Sequence, residues 1–176
     1  GLAFTRANVG YVHAIAHQLG GKYHVPHGLA NAVMLPVVLR FSLAAAAPRL
    51  ARMAEHVGIR GNGDKATAEK FIDAIQAMND AISIPRTLEA LREEDLGDLA
   101  RAACSEADLN YPVPRRMSAA DCEAMLREVL ALRLSEWGYQ VEVAADAREA
   151  GEVATEKRPD VVLTDVGDEQ SLQKNL

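Results

Sequence analysis

The sequence predicts a mainly α fold: a helical bundle with a short, incomplete α/β appendage. Residues 1 to about 137 read almost entirely as helix, with apolar residues recurring at helical spacing. Aromatic residues make up only 5% of the chain while alanine is abundant, which favours closely packed helices over a sheet sandwich. Beyond about residue 130 the texture changes. Residues 140–144 alternate as a short strand, 147–157 read as a helix, and Asp160-Val-Val-Leu-Thr-Asp165-Val166 is an apolar strand ending on an acid. Strand, helix, strand is the start of a parallel α/β unit.

Taken in order, residues 8–19 place Val12, Ile15, Ala16 and Leu19 on one helical face, and Gly20-Gly21 is the expected stop. A second helix opens at His27-Gly28 and is apolar all round from Val33 to Phe41, as befits a helix at the centre of a bundle. Pro36 should kink or locally break it. A third helix is expected near 47–57, ending at Gly58. The Gly61-Asn-Gly63 turn follows, and Asp64 is the expected N-cap of a helix over 64–83. Ile84-Pro85-Arg86 interrupts the pattern, and helices resume at 87–94 and 96–104. Asn110-Tyr-Pro112-Val-Pro114 reads as a rigid extended connector. Ser118-x-x-Asp121 is a capping box that launches a helix running to about Trp137.

Bulk properties bound the function. At 176 residues the chain can hold one core plus an appendage. A net charge of -6 argues against nucleic acid as the main partner, since phosphate binding needs a basic face. Two cysteines, Cys104 and Cys122, are no disulfide framework and suit a reducing cytoplasm. The longest apolar stretch, 30–39, contains Pro36 and is too short to span a bilayer. No signal peptide is visible, and the start Gly-Leu-Ala-Phe has no initiator methionine, as expected of a piece of a longer protein.

The residues most suggestive of chemistry are histidines. Four of the five lie in one stretch, His13, His17, His24 and His27. His13 and His17 are four apart on one helix, so both rings leave the same face within reach of one ion. His27 follows the Gly-Gly turn, where the chain can fold it back onto that pair. Ala14 follows His13, which rules out the His-Glu-x-x-His pattern of a zinc hydrolase, because the general base is missing. A plainer reading makes these two partly exposed histidines and a capping histidine. His24 is expected at the site mouth or on the surface, and His56 as a helix-terminus cation. Gly61-x-Gly63-x-x-Ala66 fits a loose dinucleotide pattern, but no apolar strand precedes it, so it reads as a helix-to-helix turn.

His13-x-x-x-His17, the Gly-Gly pair and Pro26-His27-Gly28 resemble the metal-site signature of the iron-containing alcohol dehydrogenase family. The likeness continues through Ala30-Asn-Ala-Val-Met-Leu-Pro36, the Ile84-Pro85 break and Asn110-Tyr-Pro-Val-Pro114-Arg, to about residue 130. The resemblance implies that residues 1–130 are most of that family's helical C-terminal domain, of the dehydroquinate synthase-like type. It implies His13 and His27 as ligands of Fe2+ (or Zn2+), and His17 beside substrate and nicotinamide, relaying the alcohol proton. The ion would act as a Lewis acid on the alcohol oxygen while hydride passes to NAD or NADP. It also implies that two further ligands, an aspartate and a histidine, and the Gly-rich nucleotide-binding domain lie upstream of Gly1. The isolated chain should then bind metal weakly and not turn over. The partner would be a small alcohol or aldehyde, with no nucleic acid and no membrane, and association into a homo-oligomer is left open.

Residues 131–176 carry a second resemblance, over about residues 127–170. Glu136-Trp-Gly138-Tyr139 with Arg158-Pro159-Asp160-Val-Val-Leu-Thr-Asp165 is similar to part of a response-regulator receiver domain, with Asp165 at the phospho-acceptor position. The first acidic strand and the later strands of that family are missing, and a lone carboxylate cannot organise Mg2+. Asp165 is therefore expected to be inert. The alternatives to a dehydrogenase are a signalling or interaction protein using that segment, or a helical metal-binding module without chemistry.

Overall fold

The structure is a computed structural model that describes residues 2, 7–136, 138, 140–142, 144, 146–160 and 162. Among the described residues the helices are α1 (Tyr11–Tyr23), α2 (His27–His56), α3 (Asp64–Ala81), α4 (Leu96–Asn110), α5 (Ala119–Glu136) and α6 (Ala147–Lys157). A 3-10 turn (Glu93–Asp95) leads into α4. No strand occurs among the described residues. The strand expected over 140–144 is not formed at Gln140, Val141, Glu142 or Ala144, while the helix after it is present as α6. The second expected strand falls almost wholly outside the described residues, and Asp165 lies outside them.

One core joins α1, α2, α4 and α5, with Ile15, Leu19, Met34, Leu96 and Leu126 all buried. A smaller cluster, built around Ala46, Ala47, Leu50, Ala68 and Ile72, seals α3 against the distal half of α2. Four of the residues that α1 buries have side chains no larger than isoleucine or leucine, and two are alanines, which brings neighbouring backbones close.

Several helix boundaries differ from expectation, each for a physical reason. α1 runs through Gly20-Gly21 to Tyr23, and His24 closes it in the left-handed conformation (φ 57°), its N–H bonded to the Gly20 carbonyl. Helical glycines cost about 1 kcal/mol each, but the extra turn carries Tyr23 to Asp95, where its hydroxyl donates at 2.6 Å. Burial and that carboxylate push the Tyr23 phenol up to about 12, and Lys22 pairs with the same Asp95.

α2 is one continuous helix of 30 residues, absorbing the expected third helix together with Pro36 and Pro48. Pro36 has no N–H for the carbonyl of Ala32, four residues earlier. The buried side chain of Asn79, on α3, supplies the missing donor at 2.8 Å. Pro48 orphans the carbonyl of Ala44, a residue exposed to solvent. Made continuous, α2 is long and apolar enough to cross a membrane by length and composition; in this fold Ala30, Val33, Met34 and Val38 are buried in the central core.

Gly63, at φ 87°, takes the N-cap place expected for Asp64, which becomes the first helical residue and still suits the helix dipole. In the same turn a Cβ at Gly61 would lie 2.8 Å from the backbone of Ala66 and Thr67. Gly61 N–H donates to the Thr67 hydroxyl, which donates to the Gly63 carbonyl. The glycines thus serve a helix-to-helix turn. The helix expected over 87–94 is instead a turn followed by the 3-10 segment. Leu88 and Leu91 reach the core from a single Leu91 N–H to Leu88 carbonyl turn, so their three-residue spacing needs no helix.

The connector and the capping box form as expected. Tyr111 is extended. Ser118 N–H bonds Asp121 Oδ2, and Asp121 N–H bonds Ser118 Oγ.

Candidate functional site

The three histidines meet between α1 and the first turn of α2. His13 and His17 lie one turn apart on α1. The short link of His24, Val25 and Pro26 then reverses the chain, so that His27, the first residue of α2, returns to them. Ring centres are 5.3 Å apart for His13 and His27, 5.4 Å for His17 and His27, and 6.1 Å for His13 and His17. Two imidazoles sharing one ion can have centres up to about 6.4 Å apart, with nitrogens about 2 Å from the metal and ring centres about 1.1 Å beyond. All three separations fall within that limit.

The surroundings set the state of each ring. His13 is half-buried, and burial, then His27, then His17, hold its imidazole below the usual histidine range. It is therefore neutral at pH 7, the form that binds metal.

His17 is held from α4. Its Nδ1 lies 2.7 Å from Glu106 Oε1, and a carboxylate only accepts, so Nδ1 carries the proton. Glu106 is itself fixed by the Tyr111 hydroxyl at 2.7 Å and by Gln18 Nε2 at 2.9 Å.

His27 is held from its own helix. Asn31 Nδ2 donates to the His27 carbonyl at 2.9 Å and lies 2.9 Å from His27 Nε2. Because the carbonyl can only accept, the amide nitrogen must be the group on that side, and Nε2 accepts from it. The Nε2 lone pair is thus directed at an N–H donor. Asn31 Oδ1 is buried with no hydrogen-bond partner among the described groups. Beside it a cleft of about 310 Å³ is lined by Gly10, Val12, His13, Asn31, Ala32 and Leu35, mostly apolar.

Among the described residues, no three His, Cys, Asp or Glu side chains already form a cage tight enough to hold an ion. The ring spacings fit a shared ion, while two of the rings are engaged by Glu106 and Asn31. The donor set fits a transition metal in kind, with imidazole nitrogens at suitable spacing, and is incomplete in number.

The other sequence candidates settle into structural places. His24 is the exposed cap of α1. His56 ends α2 with its Nδ1 bonded to the Arg52 carbonyl at 2.7 Å. Cys104 and Cys122 are buried free thiols within hydrogen-bonding reach of each other across α4 and α5, and burial pushes both up. Glu106, Tyr111, Gln18 and Asn31 were not among the sequence candidates. Asn31 stands four residues after His27 on one helix, a spacing that could have found it. Glu106 is 89 residues from His17, and no local pattern connects them.

Residues 1–130 match the family model described as Fe-containing alcohol dehydrogenase family, C-terminal. The chain belongs to that family. It is 42% identical over 132 residues to the 1,3-propanediol dehydrogenase of Klebsiella pneumoniae, covering 73% of this chain and 34% of that one. Alcohol dehydrogenase 4 of Saccharomyces cerevisiae is 42% identical over 118 residues, covering 64% of this chain and 30% of that one. A solved structure of 1,3-propanediol oxidoreductase superposes with a TM-score of 0.68 at 42% identity, over 73% of this chain and 35% of that one. The chain therefore spans about a third of the length of the curated relatives it matches. The all-helical architecture is that of the family's C-terminal domain, and residues beyond 130 lie past the matched region.

Proposed function

We propose that residues 1–130 are the metal-binding helical domain of an NAD(P)-linked alcohol dehydrogenase that interconverts a small alcohol with its aldehyde or ketone. The observation that carries this reading is the meeting of His13, His17 and His27 within 6.1 Å of one another in a chain of this family. His13 and His27 are the ligands this chain contributes, with ligands from elsewhere in the enzyme completing the site. A bound Fe2+ or Zn2+ would supply Lewis-acid polarisation of the alcohol oxygen, and NAD(P)+ would accept the hydride.

The remaining chemistry belongs to this chain. His17, with its proton held on Nδ1 by Glu106, offers Nε2 as the base for the alcohol proton. The cleft beside His13 and Asn31 is apolar and small, suited to the carbon chain of a short alcohol. Residues 131–176 form a separate segment in this reading, since the family match ends at 130. The setting is cytoplasmic, in keeping with two free thiols.

A chimera tests the reading. Residues 1–130 replace the matching segment of the Klebsiella pneumoniae 1,3-propanediol dehydrogenase, and 1,3-propanediol-dependent reduction of NAD+ and NADP+ is followed with Fe2+ present. The chimera should turn over, and His17→Ala should lower kcat by about 100- to 10,000-fold. A folded, metal-loaded chimera without turnover would refute the reading.

A further inference from the structure

We propose that Glu106 is the positioning residue for His17, holding the imidazole in the tautomer that leaves Nε2 free to take the substrate proton. The inference rests on the dehydrogenase reading above and adds to it a residue from a different helix. Glu106 Oε1 accepts from His17 Nδ1–H at 2.7 Å and from the Tyr111 hydroxyl at 2.7 Å, while Oε2 accepts from Gln18 Nε2 at 2.9 Å. Both carboxylate oxygens are engaged, so the group has a fixed orientation and cannot swing away from the ring. The side chain is 24% exposed and that of His17 43%, so the carboxylate is the more sheltered partner.

A carboxylate on one ring nitrogen does two things. It fixes which nitrogen bears the proton, and it holds the ring so that the other nitrogen keeps one direction. In the proton step, the alcohol O–H bond breaks, an N–H bond forms at Nε2, and the electron pair stays on oxygen. Without the carboxylate a neutral ring is free to place its proton on Nε2, where no base would remain.

The same carboxylate–histidine pairing is also used behind metal ligands, so the test must separate a proton-handling His17 from a ligating one. Imidazole nitrogen shifts are read by 15N NMR on the labelled full chain, metal-free, for the native protein and for Glu106→Gln and Tyr111→Phe. Zn2+ titration calorimetry is run on the same samples. The native His17 should be in the Nδ1–H form. Glu106→Gln, which keeps the side-chain volume, should shift it towards Nε2–H, Tyr111→Phe should do so less, and Zn2+ affinity should stay within about threefold. An unchanged tautomer in Glu106→Gln would overturn the proposal. So would a 10- to 100-fold loss of Zn2+ affinity, the size expected when support is removed from a ligating histidine. A native chain that binds no Zn2+ would count against the metal reading alone, since the tautomer result stands without it.

Discussion

At the scale of single residues, two of the three rings already hold a protein partner on one nitrogen: His17 Nδ1 faces Glu106 and His27 Nε2 faces Asn31. Asn31 places an N–H against Nε2 of His27. Binding a metal there must displace that hydrogen bond, worth about 0.5–1.5 kcal/mol. Asn31→Ala is therefore expected to tighten Zn2+ binding by about two- to tenfold, measured by calorimetry. Weaker binding would show that the amide supports the site instead of competing for it. His13, His17 and His27 were legible in the sequence because two of them share a helix face and the third follows a turn, relations that local spacing encodes. Glu106 was not legible, because its partnership with His17 exists only once α4 packs on α1.

At the scale of elements, the proline in α2 shows how tertiary contacts revise local rules. Pro36 predicts a kink or a local break from sequence alone; the helix is not broken there, and Asn79 donates to the carbonyl that Pro36 leaves orphaned. Asn79→Ala would leave that carbonyl unpaired at the α2–α3 contact, costing about 1–3 kcal/mol. Urea unfolding should show the loss, and an unchanged midpoint would mean that water replaces the amide. Helix existence was readable for all six described helices, α2 as two separate pieces, from apolar periodicity and the Ser118–Asp121 box. The end of α1 was not readable. Gly20-Gly21 carries a strong local stop signal, and what overrides it is the Tyr23–Asp95 hydrogen bond, 72 residues apart. The stretch over 87–94 misled for the converse reason, because two buried leucines three apart suit a turn as well as a helix.

At the scale of the whole molecule, α1, α2, α4 and α5 share one core, and α6 buries none of its residues. Val153→Ala in α6 should therefore shift the thermal midpoint by less than about 2 °C. A larger drop would place part of the stabilising contacts in that helix. The core itself has a functional consequence, since it fixes the angle between α1 and α2 and so brings His27 back to His13. We propose that these two imidazoles bind one ion. Zinc X-ray absorption and Zn2+ calorimetry on the native chain, His13→Ala and His27→Ala test it most directly. Two imidazole nitrogens are expected at about 2.0–2.1 Å from the metal in the native chain, with a loss of affinity of more than about tenfold in each variant. Zinc held with full affinity after either substitution would contradict it.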